Sequence, residues 1–354
     1  MTAFSLLLLI GGFFLLVLGG EAVVRGAASF GKRLGLTSLI IGLTVVAFAT
    51  STPELAVSVG AALSGSPGMA VGNVVGSNIA NILFVLGLTA VFSGLVVKVQ
   101  LIKADIPVMI GFSVIALALG LDGGFSAVDG LILLGLLMLY LVVSVWYSRR
   151  RSARGAEDHL GVDGVLSRGP GGRLTARLRA TTLGCTTVDL LLLTGGVGML
   201  VLGARFVVDS ATSIALALGV SDVIVGLTVV AIGTSLPELA TSVIAALRGE
   251  RDMAVGNLVG SNIFNIGAVL GITSIVSPVA LTVEPAVIYF DLPVMLAVAL
   301  VLLPLAFTGR FITRWEGGLL AGIYVAYIAF VFLSAGAHDA LEPFSAAERN
   351  TKAI

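Results

Sequence analysis

The sequence predicts an all-α polytopic membrane protein, with ten transmembrane helices arranged as two inverted five-helix repeats. Three observations lead there: an apolar composition, ten apolar stretches of spanning length, and an internal duplication whose unit holds an odd number of those stretches. Of 354 residues, 57% are hydrophobic and 11% charged, and the mean hydropathy is +1.10. That leaves too little polar surface to cover a water-soluble globule. The 45 glycines agree, because small residues let membrane helices pack backbone against backbone. Twenty basic and twenty acidic residues cancel, so no global field selects nucleic acid or an acidic partner. Cys185 is the sole cysteine, and His159 and His338 lie far apart in polar segments. Neither a disulfide frame nor a Cys/His metal site is available. No cofactor is implied, and any metal ion must be held by oxygen.

Stretches of about 20 apolar residues, enough to cross the hydrocarbon core, fall near 4–22, 38–63, 69–92, 103–120, 127–147, 186–208, 222–247, 253–276, 286–305 and 316–335. The first has no basic residue ahead of it and no cleavage site of the usual small-residue form, so it reads as a helix and not as a signal peptide. The one long polar segment carries Arg149, Arg150, Arg151, Arg154, Arg168, Arg173, Arg177 and Arg179 among Gly and Ser. It reads as a flexible linker. The expected organisation is a first five-helix repeat at 1–147, a linker at 148–185, a second repeat at 186–335 and a polar C-terminal tail at 336–354.

The halves repeat each other in sequence. Gly42-Leu-Thr-Val-Val-Ala47 recurs as Gly226-Leu-Thr-Val-Val-Ala231, and Pro53-Glu-Leu-Ala56 as Pro237-Glu-Leu-Ala240, both at an offset of 184. The same offset carries Met69-Ala-Val-Gly-Asn73 onto Met253-Ala-Val-Gly-Asn257 and Gly76-Ser-Asn-Ile79 onto Gly260-Ser-Asn-Ile263. Asp105-Ile-Pro-Val-Met109 matches Asp291-Leu-Pro-Val-Met295 at an offset of 186. Five spans per unit oblige the second unit to enter the membrane from the opposite side, an architecture common among transporters. The distribution of Lys and Arg tests this independently. If 148–185 is cytoplasmic, the predicted connections with Arg25, Lys32 and Arg33, with Lys98 and Lys103, with Arg248 and Arg251, and with Arg310 and Arg314 share its side, placing seventeen of the twenty basic residues there. Both termini are then expected outside the cytoplasm.

Polar residues deep in apolar spans mark the chemistry, since an intramembrane carboxylate costs ~2.5–3.5 kcal/mol or more. Glu54 follows Ala49-Thr-Ser-Thr-Pro53, and Glu238 follows Gly233-Thr-Ser-Leu-Pro237. At helical spacing Thr50 and Ser51 share a face with Glu54, as Thr234 and Ser235 do with Glu238. Each proline is expected to kink its helix and release main-chain carbonyls around Ala49 and Thr50, or Gly233 and Thr234. Free carbonyls in lipid are tolerated only around a cavity or an ion. In the following spans Asn73, Ser77 and Asn81, and Asn257, Ser261 and Asn265, recur every four residues and line one face. Asn78 and Asn262 project elsewhere and are expected to bond between helices. Gly72-x-x-x-Gly76 and Gly256-x-x-x-Gly260 are expected to permit close backbone approach. Neutral oxygens beside two carboxylates suit a hard cation, calcium more than the reluctantly dehydrated magnesium.

These paired motifs, Thr-Ser-x-Pro-Glu-Leu followed by Gly-Asn-x-Val-Gly-Ser-Asn-Ile, resemble those of the calcium/cation antiporter superfamily, and within it the prokaryotic sodium/calcium exchangers. The segments Gly42–Gly87 and Gly226–Gly271 look like that family's two α-repeats, and the ten-helix layout extends the resemblance over nearly the whole chain. The resemblance implies a multi-pass antiporter of the cell membrane, with lipid, calcium and sodium as its partners, that exchanges the two ions by alternating access. It implies calcium ligation by Glu54 and Glu238, helped by the carbonyls of Thr50 and Thr234. It implies sodium sites drawing on Ala47, Ser51, Ser77, Asn81, Ala231, Ser235 and Ser261. Asn265 stands where such exchangers often have Asp. A proton/calcium exchanger and a cation channel stay open as alternatives. An intramembrane enzyme lacks support, as the chain has no His-Glu-x-x-His, no Gly-x-Ser-x-Gly and no protease-like aspartate pair.

Overall fold

The computed structural model describes residues 3–153, 182–217 and 231–351. They form an almost wholly helical protein. Helix α1 spans Ala3–Arg33. A broken helix follows as α2, Ser38–Thr50, and α3, Thr52–Leu63, bent by 40° at Ser51. Then come α4 (Pro67–Ser93), α5 (Leu101–Gly120) and α6 (Ala127–Ala153). The second half contributes α7 (Thr182–Ala217), α8 (Ala231–Thr234), α9 (Leu236–Leu247), α10 (Arg251–Val276), α11 (Val287–Phe307) and α12 (Arg314–Thr351). Among the described residues seven helices are long and apolar enough to cross a membrane, and the bent α2–α3 pair makes up to eight. Of the remaining predicted stretches, 222–247 is partly outside the described residues and 316–335 lies within α12.

Several helices outrun their apolar stretches. Arg25, Lys32 and Arg33, expected in a connection, belong to α1. The helix is held past the apolar run by ion pairs: Glu21 with Arg25 one turn on, Glu21 with Arg248, and Arg33 with the buried Asp189 of α7 at 2.8 Å. Helices α6 and α7 likewise run into the predicted linker, as far as Ala153 and from Thr182. The predicted polar tail is helical to Thr351. A helix satisfies its own backbone in water as in lipid, so loss of hydrophobicity alone does not end one.

Close backbone contact organises the packing. A Cβ on Gly256 would sit 2.7 Å from the carbonyl oxygen of Leu39, and one on Gly260 2.7 Å from that of Leu43. Helices α10 and α2 therefore touch main chain to main chain, as the glycine spacing predicts. A Cβ on Gly72 or Gly76 would meet nothing described within 4 Å beyond its own helix backbone, and 218–230, which matches the α2 contact region in sequence, lies outside the described residues.

Two short ribbons join the halves reciprocally. Strand β1 (Leu95–Val96) pairs antiparallel with β4 (Phe311–Ile312), and β2 (Gly124–Phe125) with β3 (Leu281–Thr282). The first gathers one end of the molecule, where Lys98 also pairs with Asp252 at 2.9 Å and Arg314 donates to the Phe92 carbonyl at 3.4 Å. On the periphery, Tyr140 of α6 donates to Asp105 of α5 at 3.0 Å, and Tyr327 of α12 repeats this with Asp291 of α11 at 2.8 Å.

Gly260→Val should force α2 and α10 apart and lower stability by about 1–3 kcal/mol, the usual range for overpacking a tight core. Gly135→Ala, where the added Cβ would meet nothing described within 4 Å beyond its own helix backbone, should not lower the thermal unfolding temperature of the purified protein.

Candidate ion-binding site

The site is built on two helix breaks. Ser51 leaves the α-helical path at φ −81°, ψ 0°, and Ser235 does so at φ −89°, ψ 3°. Pro53 and Pro237 fall in the first turn of the new helices α3 and α9, where a missing N–H removes no helical bond. Across the first break Ser51 N–H reaches Ala47 O at 2.9 Å and Leu55 N–H reaches Ser51 O at 3.1 Å. The Phe48 carbonyl accepts from the Thr52 hydroxyl at 2.9 Å. The carbonyls of Ala49 and Thr50 are thereby released from the helical ladder, as expected from Pro53.

Glu54 and Glu238 occupy the first turns of α3 and α9. Carboxylates there meet the positive end of the helix dipole and unpaired N–H groups. Ser51 and Ser235 stand in the capping position three residues before a glutamate, the arrangement of a capping box. Neither caps, and both hydroxyls are buried without a hydrogen bond.

The halves meet crosswise. Helix α3 packs against the wide π-helical turn Asn265–Leu270 of α10, and α9 against the matching turn Asn81–Leu86 of α4. Wide turns of this kind concentrate at functional sites. The Thr50 hydroxyl donates to Asn257 Oδ1 at 3.2 Å and lies 3.3 Å from the Ser261 hydroxyl. Thr50 lies beside Glu238, and the two glutamates neighbour each other. Glu54 and Glu238 are 1% and 0% exposed, and Glu54 Oε2 and both Glu238 oxygens lack hydrogen-bond partners. Ser77 Oγ and both side-chain polar atoms of Asn81 and of Asn265 are buried and unpartnered too. Among the described residues no cluster of three or more His, Cys, Asp or Glu exists. The donors are one carboxylate pair amid neutral oxygens.

The remaining predicted residues divide. Ala47 is buried against Gly260 of α10, and its carbonyl is engaged by Ser51 N–H. Thr234 closes α8, and Ala231 opens it with its side chain outside the described residues. Asn78 bonds between helices as expected, donating to Met295 Sδ at 3.5 Å. Asn262 does not: its amide donates back to the Leu258 carbonyl of its own helix at 3.0 Å, because a side chain four residues on can reach that carbonyl directly.

Sequence reasoning missed Ser58 and Ser242. Asn73 donates to Ser58 Oγ at 2.9 Å and to the Glu54 carbonyl at 3.3 Å, while Asn257 donates to Ser242 Oγ at 3.0 Å. These pairs fix the glutamate helices to α4 and α10. The signal was present, since Ser58 and Ser242 follow the glutamates by four residues and share the 184 offset. Beside the site a cavity of about 410 Å³ is bordered by Pro53, Pro237, Gly233 and Thr234, with Arg205 and Asp209 of α7 also on its wall.

A family model described as sodium/calcium exchanger protein matches residues 4–146 and 188–333. The chain belongs to the sodium/calcium exchanger family. It thus falls within the calcium/cation antiporter superfamily, whose members are exchangers and not enzymes. This exchanger is 32% identical over 350 residues to the sodium/calcium exchanger MaX1 of Methanosarcina acetivorans, covering 94% of this chain and 99% of that one. It is 35% identical over 328 residues to inner membrane protein YrbG of Escherichia coli, covering 92% and 96%. The solved structure of the sodium-calcium exchanger NCX_Mj, soaked with 10 mM Na+ and zero Ca2+, superposes with a TM-score of 0.74 at 34% identity, over 93% of this chain and 99% of that one. The protein is a multi-pass membrane exchanger of cations, calcium among them.

Ser242→Ala should free the Asn257 amide and loosen Thr50. Losing a net hydrogen bond of about 1 kcal/mol predicts a roughly fivefold higher KM for calcium in proteoliposomes, with protein yield unchanged.

Proposed function

We propose that this protein exchanges calcium for sodium across the cell membrane by alternating access at one central site. The observation that carries the proposal is the buried glutamate pair surrounded by unpartnered hydroxyl and amide oxygens. Buried polar groups normally find partners, and a hard cation supplies one to many oxygens at once. Glu54 and Glu238 bind calcium with the carbonyls of Thr50 and Thr234. Sodium uses Ser51, Ser77, Asn81, Ser235 and Ser261, with Ala47 and Ala231 contributing main-chain oxygens, and Asn265 completes the neutral set.

Two carboxylates carry a charge that one calcium or two sodium ions neutralise. A third sodium would leave one positive charge and make exchange electrogenic, at ~2.3 kcal/mol per charge per 100 mV. Without a cation the two carboxylates face each other in low dielectric, an unfavourable state. Reorientation is therefore tied to a loaded site, and the protein exchanges instead of leaking. Sodium is favoured over protons because the site is rich in neutral oxygens that an alkali cation requires and a proton does not. The names sodium/calcium exchanger MaX1 and sodium-calcium exchanger NCX_Mj point the same way.

The proposal includes ten spans in two inverted five-helix repeats, 1–147 and 186–335, with the 148–185 linker cytoplasmic and the 336–354 tail and both termini outside. Reciprocal pairing of β1 with β4 and β2 with β3 supports the inversion. In repeats of like orientation the connections after α4 and before α12 would lie at opposite ends. On this topology the cavity beside Thr234 opens outward.

Glu54→Gln and Glu238→Gln should each abolish calcium flux while the protein still folds, since charge is lost and volume kept. A sodium gradient should drive calcium accumulation in proteoliposomes, insensitive to protonophore. Wild-type flux in either variant sinks the site, and uptake that follows a pH gradient and ignores sodium moves the reading to a proton/calcium exchanger. A reporter at Arg154 should read cytoplasmic and one at Ile354 external; any other result refutes the topology.

A further inference from the structure

The central site leaves one buried carboxylate unexplained. Asp105 is the fifth residue of α5, about 6 Å along the helix axis from its start. It is 2% exposed; Oδ1 accepts from Tyr140, whereas Oδ2 has no hydrogen-bond partner, although the Gln100 amide stands nearby. Asp105 borders a cavity of about 370 Å³ between α5 and α6 that also meets Lys103, Val108, Val143, Trp146 and Tyr147. Val143, Trp146 and Tyr147 are about half exposed on the outer face of the helix bundle. Arg150 stacks on the Trp146 ring, 3.8 Å from its centroid.

We propose that this cavity binds the headgroup of a phospholipid bearing a primary ammonium, of the phosphatidylethanolamine class. The ammonium meets Asp105 Oδ2, the phosphate meets Lys103, and an acyl chain runs along Val108 and Val143. The charges decide the class. A buried acid at the inner wall and an exposed base at the mouth complement a zwitterion, in which ammonium and phosphate are separate. A purely anionic headgroup brings nothing for the acid and is repelled by it. A quaternary ammonium has no N–H to give Oδ2 and is bulkier. Trp and Tyr at the rim set the depth, since these rings settle at headgroup level, and a lysine stem reaches along apolar surface to a phosphate. The site lies on the lateral face, apart from Glu54 and Glu238, so it can be occupied while ions are exchanged.

The test uses the full-length protein in mixed-lipid nanodiscs, released into the gas phase for mass spectrometry of retained lipid. Four lipids with identical acyl chains are compared at equal mole fraction: phosphatidylethanolamine, its N-methyl and N,N-dimethyl forms, and phosphatidylcholine. Retention should fall stepwise as N–H groups are removed, by about tenfold over the series, the scale of a charge-assisted hydrogen bond. Asp105→Asn should flatten the series, and Lys103→Ala should weaken retention of all four alike. Equal retention of all four lipids by the wild-type protein overturns the proposal, as does a series unchanged in folded Asp105→Asn. If that variant does not fold, the wild-type series decides alone.

Discussion

Hydrocarbon offers no hydrogen bonds, so a backbone that breaks inside a membrane must have its polar groups met from within the protein. The breaks at Ser51 and Ser235 are therefore the constraint on which this structure turns. Each ends one helix, starts another, and sets a glutamate in the new first turn, where the helix dipole and unpaired N–H groups make a carboxylate tolerable. Were the chain continuous there, the same glutamates would lie mid-helix with no such support. Proline does not by itself define the break. It is compatible with the new first turn and denies the old helix its continuation.

Such a break is sustained only if its surroundings are rigid. Main-chain contact between α2 and α10 at Gly256 and Gly260 supplies part of that. The Asn73–Ser58 and Asn257–Ser242 bonds supply another, because each ties a glutamate helix to the neighbouring polar helix. Asn73 and Asn257 are committed to these bonds, whereas the glutamate, serine and asparagine side chains at the centre are left without partners. Crosswise packing of each glutamate helix against the opposite half's π-helical turn makes the site the joint property of both halves.

The periphery follows a different logic. The Asp105–Tyr140 and Asp291–Tyr327 bonds recur in both halves and tie adjacent outer helices. Asp105 is nearly fully buried, while Asp291 stands at intermediate exposure. Duplication conserved the bond but not its surroundings, so outer surfaces of the two halves are free to differ in what they meet, lipid included, while the centre stays paired.

Much was legible in the sequence. Apolar runs of spanning length identify a membrane protein because lipid leaves a helix no other means of satisfying its backbone, and the 184-residue offset exposed both glutamates because matching motifs need no alignment to be seen. Helix ends were less legible: α1 outruns its apolar stretch through pairs with Arg248 and Asp189, partners more than 150 residues away. So was the fate of each polar residue. Asn78 and Asn262 hold equivalent places in the sequence, yet one bonds across to Met295 and the other back to Leu258. Ser51 has the spacing of a helix cap and does not cap. The sequence by itself determined which residues are too polar for lipid, since transfer free energy belongs to the side chain. Only the tertiary structure decided which of them are satisfied by neighbours and which are left facing the centre, since a hydrogen bond depends on where two chain segments meet.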